Sequence, residues 1–241
     1  MNLLKKCAKL LFVLLLVSCS GGIDDSESAY VPPITQPTAR TIKYLALGDS
    51  YTIGQSVCET CRFPEQLKTM LAGSIDANYN LKIVAQTGWT TTNLKTTIAQ
   101  VGLPNDYDLV TLLIGVNNQY QQKAFSIYEQ EFPELLNTAI NLAKGDKNHV
   151  IVVSIPDYAY TPYGMSTGNQ AQISSEIDQY NAFAKNYAEQ NGVKFIDITP
   201  ITRQGLDNTT LVASDGLHPS QLAYAKFVEL LFPVANALLQ E

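Results

Sequence analysis

The chain has 241 residues, a formal net charge of −6, 46% hydrophobic and 16% charged residues. That acidity makes the chain a poor candidate for a nucleic-acid partner, or for an anionic lipid surface held by charge alone, because both favour a basic protein. The length suits one full-sized domain with its own apolar core.

Lys5, Lys6 and Lys9 precede an apolar run from Leu10 to Val17. The run is too short to span a bilayer and is laid out as a secretory signal peptide over residues 1–18. Leu16-Val17-Ser18-Cys19 resembles a bacterial lipobox. That resemblance implies cleavage before Cys19, its diacylation, and an exported lipoprotein of the cell envelope held in a membrane by lipid alone. The alternative is a plain signal peptide with an incidental cysteine. Ser20 stands where Asp would be the usual inner-membrane retention signal, so the outer membrane is expected. Asp24, Asp25 and Glu27 resemble signals that send some lipoproteins to the outer surface, and the mature protein could face the periplasm or the outside. Residues 19–40, rich in Ser, Gly, Pro and acids, read as a flexible tether. A single domain is expected over 41–241.

Cys7 leaves with the signal and Cys19 with the lipid, which leaves Cys58 and Cys61. In an exported chain this Cys-x-x-Cys pair reads as a local disulfide pinning a loop. A redox or zinc role is the alternative, although a zinc site needs more ligands than lie nearby.

From Ile42 onward, apolar runs alternate with helical periodicity. Strands are predicted at Ile42–Leu47, Leu81–Ala85, Asp108–Gly115, His149–Ile155 and Val193–Ile198. Between and after them, Phe63–Leu71, Thr92–Val101, Ser126–Ala143, Ile173–Gln190 and Ser220–Leu239 carry three-to-four-residue apolar spacing. Near-continuous apolar strands separated by helices predict a parallel sheet covered on both faces, a three-layer α/β/α sandwich of five strands.

Ligands bind such sheets at the carboxyl edge, and the residues expected there carry chemistry. Gly48-Asp49-Ser50 follows the first strand and presents a serine on a sharp turn, its own N–H directed outward. Read alone, the triplet is equally an ordinary turn with an N-cap. Gly88 follows the second strand, where a residue without Cβ lets its N–H approach a substrate. Asn117 follows the third and can offer a side-chain NH₂. Past the fifth strand, Asp215 and His218 share one short turn, so Asp215 can hold the imidazole in the tautomer that accepts a proton from Ser50. The ordinary alternative for Asp-x-x-His is capping of the last helix. His149, the other histidine, begins a strand at the far edge and reads as a surface or capping residue.

Gly48-Asp49-Ser50, Gly88, Gly115-Val116-Asn117 and Asp215-Gly216-Leu217-His218 together resemble the four sequence blocks of the SGNH hydrolases, the GDSL esterase/lipase family. The resemblance covers roughly residues 41–240. It implies a flavodoxin-like α/β/α fold, nucleophile Ser50, base His218 and orienting Asp215. It also implies oxyanion donors from Ser50, Gly88 and Asn117. Tyr51 replaces the family's Leu without touching the chemistry. Asn118 stands where an Asp often follows, a change that bears on a supporting hydrogen bond.

Gly164-Met165-Ser166-Thr167-Gly168 fits the nucleophile pattern of another hydrolase fold. No strand runs into Ser166, so the segment reads as a flexible loop. Tyr51, Trp89, Tyr120, Tyr158, Tyr160 and Tyr163 fall at or beyond strand ends; they either line a cleft or reflect a tyrosine-rich chain. The expected activity is hydrolysis of a carboxylic ester, on acetylated carbohydrate or lipid, through an acyl-enzyme and with no metal or organic cofactor. The rival is a non-catalytic glycan-binding envelope lipoprotein that keeps the fold.

Overall fold

Ile42, Tyr44, Leu45, Ala46 and Leu47 are fully buried, so the first strand runs through the middle of the protein. The computed structural model describes residues 40–240. The signal peptide, Cys19 and nearly all of the tether lie outside the described residues.

In chain order the elements are β1 (Thr41–Gly48), α1 (Ser50–Ile53), α2 (Phe63–Ala72), β2 (Asn78–Ala85), α3 (Thr91–Val101), β3 (Leu109–Leu113), α4 (Val116–Tyr120) and α5 (Phe125–Leu142). They continue with β4 (Val150–Val153), α6 (Pro162–Ser166), α7 (Gln170–Gln190), β5 (Lys194–Ile196), α8 (Thr199–Thr202) and α9 (Gln221–Gln240). The sheet order is β2-β1-β3-β4-β5, and every neighbouring pair is parallel. Strands β3 and β4 are buried at every position, as a sheet covered on both faces requires. β2, at one edge, alternates between exposed and half-buried positions until Val84. Helix α2 packs against α9, while α3 packs against α5 and α5 against α7, which gives the two outer layers.

All five predicted strands and all five long helices form, with shifted ends. β2 starts at Asn78, three residues before the apolar pattern, because its edge position lets polar side chains face water. β5 is cut to Lys194–Ile196, since Ile198 already caps α8. The segment expected as a loop around Ser166 is instead the short helix α6. Its N-cap Thr161 accepts a hydrogen bond from Gly164 N–H at 3.1 Å, and Pro162 occupies the first turn.

This strand order fixes where a ligand can sit. The chain leaves β1 toward β2 and returns across β1 to β3, so a crevice opens outside the carboxyl ends of β1 and β3. His149 lies in a 3₁₀ turn before β4, at the opposite edge.

Candidate active site

Ser50 is the first residue of α1, and two features of Gly48-Asp49 put it there. A Cβ on Gly48 would meet Thr52 Oγ1 at 2.1 Å and the Leu113 carbonyl at 2.4 Å, so only glycine lets the chain turn this tightly. Asp49 then caps the turn, its Oδ1 accepting from Tyr51 N–H at 2.9 Å. Ser50 is 3% exposed. Its N–H makes no hydrogen bond among the described residues.

Gly88 sits in the turn after β2 with φ of +82°, a conformation that side-chain-bearing residues rarely adopt. A Cβ there would meet no protein atom within 4 Å, so the backbone conformation demands glycine and protein crowding does not. The same turn is tied to α4 by amide side chains. Asn117 Nδ2 donates to the Trp89 carbonyl at 3.1 Å, and Gln121 Nε2 donates to the Gly88 carbonyl at 2.8 Å. Asn118 accepts from Thr91 N–H at 3.0 Å and donates to Thr91 Oγ1 at 2.7 Å. The Thr91 hydroxyl passes its own proton to Glu131 Oε2 at 2.5 Å. Asn118 therefore makes two bonds to Thr91, which accounts for the departure from Asp at this position.

Asn117 Nδ2 also lies 3.4 Å from Asp49 Oδ2. Burial pushes the Asp49 carboxyl up to about 7, against the opposing pull of hydrogen bonds from Tyr51 N–H and the Asn117 amide. Near neutral pH this carboxyl is therefore only partly ionised beneath the serine turn.

Asp215 and His218 occupy the loop between the 3₁₀ turn Thr209–Leu211 and α9. Asp215 Oδ1 accepts from the N–H groups of Leu217 at 2.9 Å and His218 at 3.0 Å, which shapes the loop. Asp215 Oδ2 lies 2.7 Å from His218 Nδ1. A carboxylate only accepts, so Nδ1 carries the proton and Nε2 is left as the acceptor. Ser56 Oγ donates to the same Oδ2 at 2.6 Å. Burial alone would raise the Asp215 carboxyl, but the bonds from Ser56, the two N–H groups and the imidazole hold it well below its ordinary range. Ser56 stands two residues before the loop closed by a Cys58–Cys61 disulfide, whose Cα–Cα distance is 5.0 Å. The Tyr51 and His218 rings lie 5.0 Å apart between centroids.

Ser50, Gly88, Asn117 and His218 line one cavity of about 230 Å³, and Asp215 stands behind His218. Ser50 and His218 are not hydrogen-bonded to each other in this resting state, a contact that commonly tightens only when substrate binds. A hydroxyl, an imidazole with an accepting nitrogen, and N–H donors around a small space can together perform acyl transfer. Ser166 is not in this cavity; its hydroxyl donates to the Tyr163 carbonyl at 2.7 Å.

The tyrosines divide. Tyr51, Tyr120 and Tyr158 line the cavity. The Tyr163 and Tyr120 hydroxyls lie 2.6 Å apart, and the Tyr160 ring faces the Arg203 guanidinium at 6.0 Å. Trp89 contributes its carbonyl to Asn117. Sequence reasoning gave no role to Ser56, Thr91 or Gln121. Gln121 follows a motif block closely enough to have been suspected, whereas Ser56 had no signal at all.

The chain is similar to known proteins. Residues 46–226 match the GDSL-like Lipase/Acylhydrolase family. The secreted effector protein SseJ of Salmonella typhimurium is 26% identical over 95 residues, which is 38% of this chain and only 22% of that protein's length. A variant of an acetyl xylan esterase from Geobacillus stearothermophilus superposes with a TM-score of 0.63 at 19% identity, over 82% of this chain and 95% of the other. A lipase/acylhydrolase from Enterococcus faecalis gives a TM-score of 0.61 at 21% identity, over 81% and 96%. These structural likenesses carry the fold, and the family match carries the chemistry. The chain belongs to the GDSL-like lipase/acylhydrolase family and is a serine hydrolase of ester bonds.

Proposed function

We propose that Ser50 is the nucleophile of a lipid-anchored esterase acting on acylated carbohydrate or lipid in the cell envelope. Ser50 Oγ attacks the ester carbonyl as His218 Nε2 takes its proton, and Asp215 holds the imidazolium that forms. The oxyanion accepts from the Ser50 and Gly88 N–H groups and from Asn117 Nδ2. At rest Asn117 makes a 3.1 Å bond to Trp89 and a longer 3.4 Å contact to Asp49. The longer contact is the cheaper one to exchange for the oxyanion. Because Asp49 is buried and partly protonated, it sets less than a full negative charge against that oxygen. Collapse of the tetrahedral intermediate expels the alcohol, which takes the proton from His218. Water, deprotonated by the same imidazole, then attacks the acyl-enzyme and releases the acid.

The observation that supports this reading best is the 2.7 Å Asp215–His218 pair facing the same small cavity as Ser50, Gly88 and Asn117. In the anchored form, residues 1–18 are removed, Cys19 carries the lipid, and residues 19–40 tether the hydrolase domain of 41–241. The outer membrane is the proposed location, on the lipobox resemblance and Ser20 after Cys19. A fluorophosphonate probe followed by peptide mass spectrometry tests the assignment. Label on Ser50, lost in Ser50→Ala and kept in Ser166→Ala, is the expected result. Label on Ser166, or undiminished ester hydrolysis by Ser50→Ala, overturns it.

A further inference from the structure

Next to the Ser50 cavity lies a larger one of about 560 Å³, and Tyr120 and Tyr158 line both. One wall is a clamp of two amides around a carboxylate. Glu176 Oε2 accepts from Gln119 Nε2 at 2.7 Å, and Glu176 Oε1 accepts from Gln172 Nε2 at 2.9 Å. Because a carboxylate can only accept, it fixes both amides with their NH₂ groups toward Glu176 and their carbonyl oxygens away from it. Gln119 is 8% exposed, and its Oε1 is buried without a hydrogen-bond partner among the described residues. With no accessible surface, that oxygen is closed to a ligand as well as to water, so Gln119 is a fixed strut of the wall, and Gln172, exposed on α7, is the amide that can reach a ligand.

The chemistry of that ligand can be narrowed. An acyl chain would need an apolar lining, and this one is rich in amides and tyrosines. A phosphate or carboxylate would meet Glu176, with Lys123 as the only cation of the lining. What remains is a neutral molecule with many hydroxyl donors and flat apolar faces for the tyrosine rings. The volume lies in the range of ordinary ligand pockets and holds roughly two or three sugar rings. The ~230 Å³ Ser50 cavity leaves room for a short acyl group.

We propose that this second cavity binds the sugar chain of an acylated oligosaccharide, with Gln172, oriented by Glu176, accepting a hydroxyl proton. Tyr120 and Tyr158 form the wall between the sugar and its acyl group. The proposal rests on ester hydrolysis at Ser50 and names the alcohol that leaves.

The test uses 4-nitrophenyl acetate, 4-nitrophenyl decanoate, and acetylated xylose, glucose and mannose beside their acetylated linear trisaccharides. In at least one sugar series, the trisaccharide ester should give kcat/KM about tenfold or more above the monosaccharide ester. Gln172→Ala and Glu176→Ala should each lower the ratio of kcat/KM for that trisaccharide to kcat/KM for 4-nitrophenyl acetate by about tenfold, chiefly through KM, as expected for losing a hydrogen bond or two. Gln172 is exposed on α7, so its truncation tests the site even if Glu176→Ala unfolds. Equal kcat/KM for mono- and trisaccharide esters in all three series overturns the proposal. So does a preference for the decanoate over every sugar ester, or an unmoved ratio in Gln172→Ala. Inactivity toward every ester, 4-nitrophenyl acetate included, overturns the Ser50 reading itself.

Discussion

Replacing Asp49 with asparagine should change how stability depends on pH. Asp49 is wholly buried, and burial pushes its carboxyl from 3.8 up to about 7. The unfolded chain loses this proton near 3.8, so between about pH 4 and pH 7 the folded protein holds a proton that the unfolded chain has released. The stabilisation linked to that proton is complete below the unfolded value and is lost as pH rises through about 7. Each unit of pKa corresponds to ~1.4 kcal/mol, so from pH ~5 to pH ~8 this one group removes about 3 kcal/mol of stability. Asp49→Asn keeps an oxygen for Tyr51 N–H but cannot titrate. Urea unfolding at the two pH values should therefore show the wild type losing about 3 kcal/mol more than the variant. The other titrating groups are present in both proteins and cancel in the comparison. Parallel stability–pH curves would refute the claim that burial keeps Asp49 protonated.

Asn117→Ala should lower kcat by about a hundred- to a thousandfold in a folded protein, the usual loss for one oxyanion donor; a change in KM alone would remove Asn117 from that role. Ser56→Ala removes one of the bonds that hold the Asp215 carboxyl down, so kcat should fall several-fold at constant KM. The remaining bonds still hold the Asp215 carboxyl down, so the loss should persist across the working pH range, and an unchanged kcat would argue against Ser56 as a positioning residue. Cys19→Ala should abolish metabolic labelling with palmitate and leave an uncleaved or soluble form, while a chain starting near Thr41 stays active; wild-type protein in the medium with an unmodified Cys19 would refute the anchor.

The sheet was legible because its strands are apolar at nearly every position and its helices at every third or fourth, a contrast that survives without any tertiary information. The carboxyl-edge placement of Ser50, Gly88, Asn117 and His218 followed from the strand boundaries alone. Smaller features were not legible. α1, α4, α6 and α8 are four or five residues long, too short for periodicity to register. Ser166 reads as loop because no strand runs into it, yet Thr161 and Pro162 upstream start a helical turn there. Ser56 reaches Asp215 across 159 residues of sequence, a contact that no local pattern encodes. The raised Asp49 carboxyl depends on total burial, and in a Gly-Asp-Ser turn the sequence suggests the reverse, an exposed acid. Cys58 and Cys61 carry the simplest geometry, three residues apart on one loop, and the disulfide joins them there.

The chain of bonds from Asn118 through Thr91 to Glu131 has a direction, and that direction links two positions. A threonine hydroxyl has one proton, and this one goes to Glu131, so the group on its other side must give a proton rather than take one. Asn118→Asp alone would press a second carboxylate against the same buried oxygen. Paired with Glu131→Gln it would reverse the relay, at the cost of one Thr92 hydroxyl bond to Glu131 and of the ion pair with Lys95. The two positions are therefore chemically coupled: an acid can stand on either side of Thr91 but not on both. In this protein the acid resides on α5, where a comparison confined to the four motif blocks would never look for it.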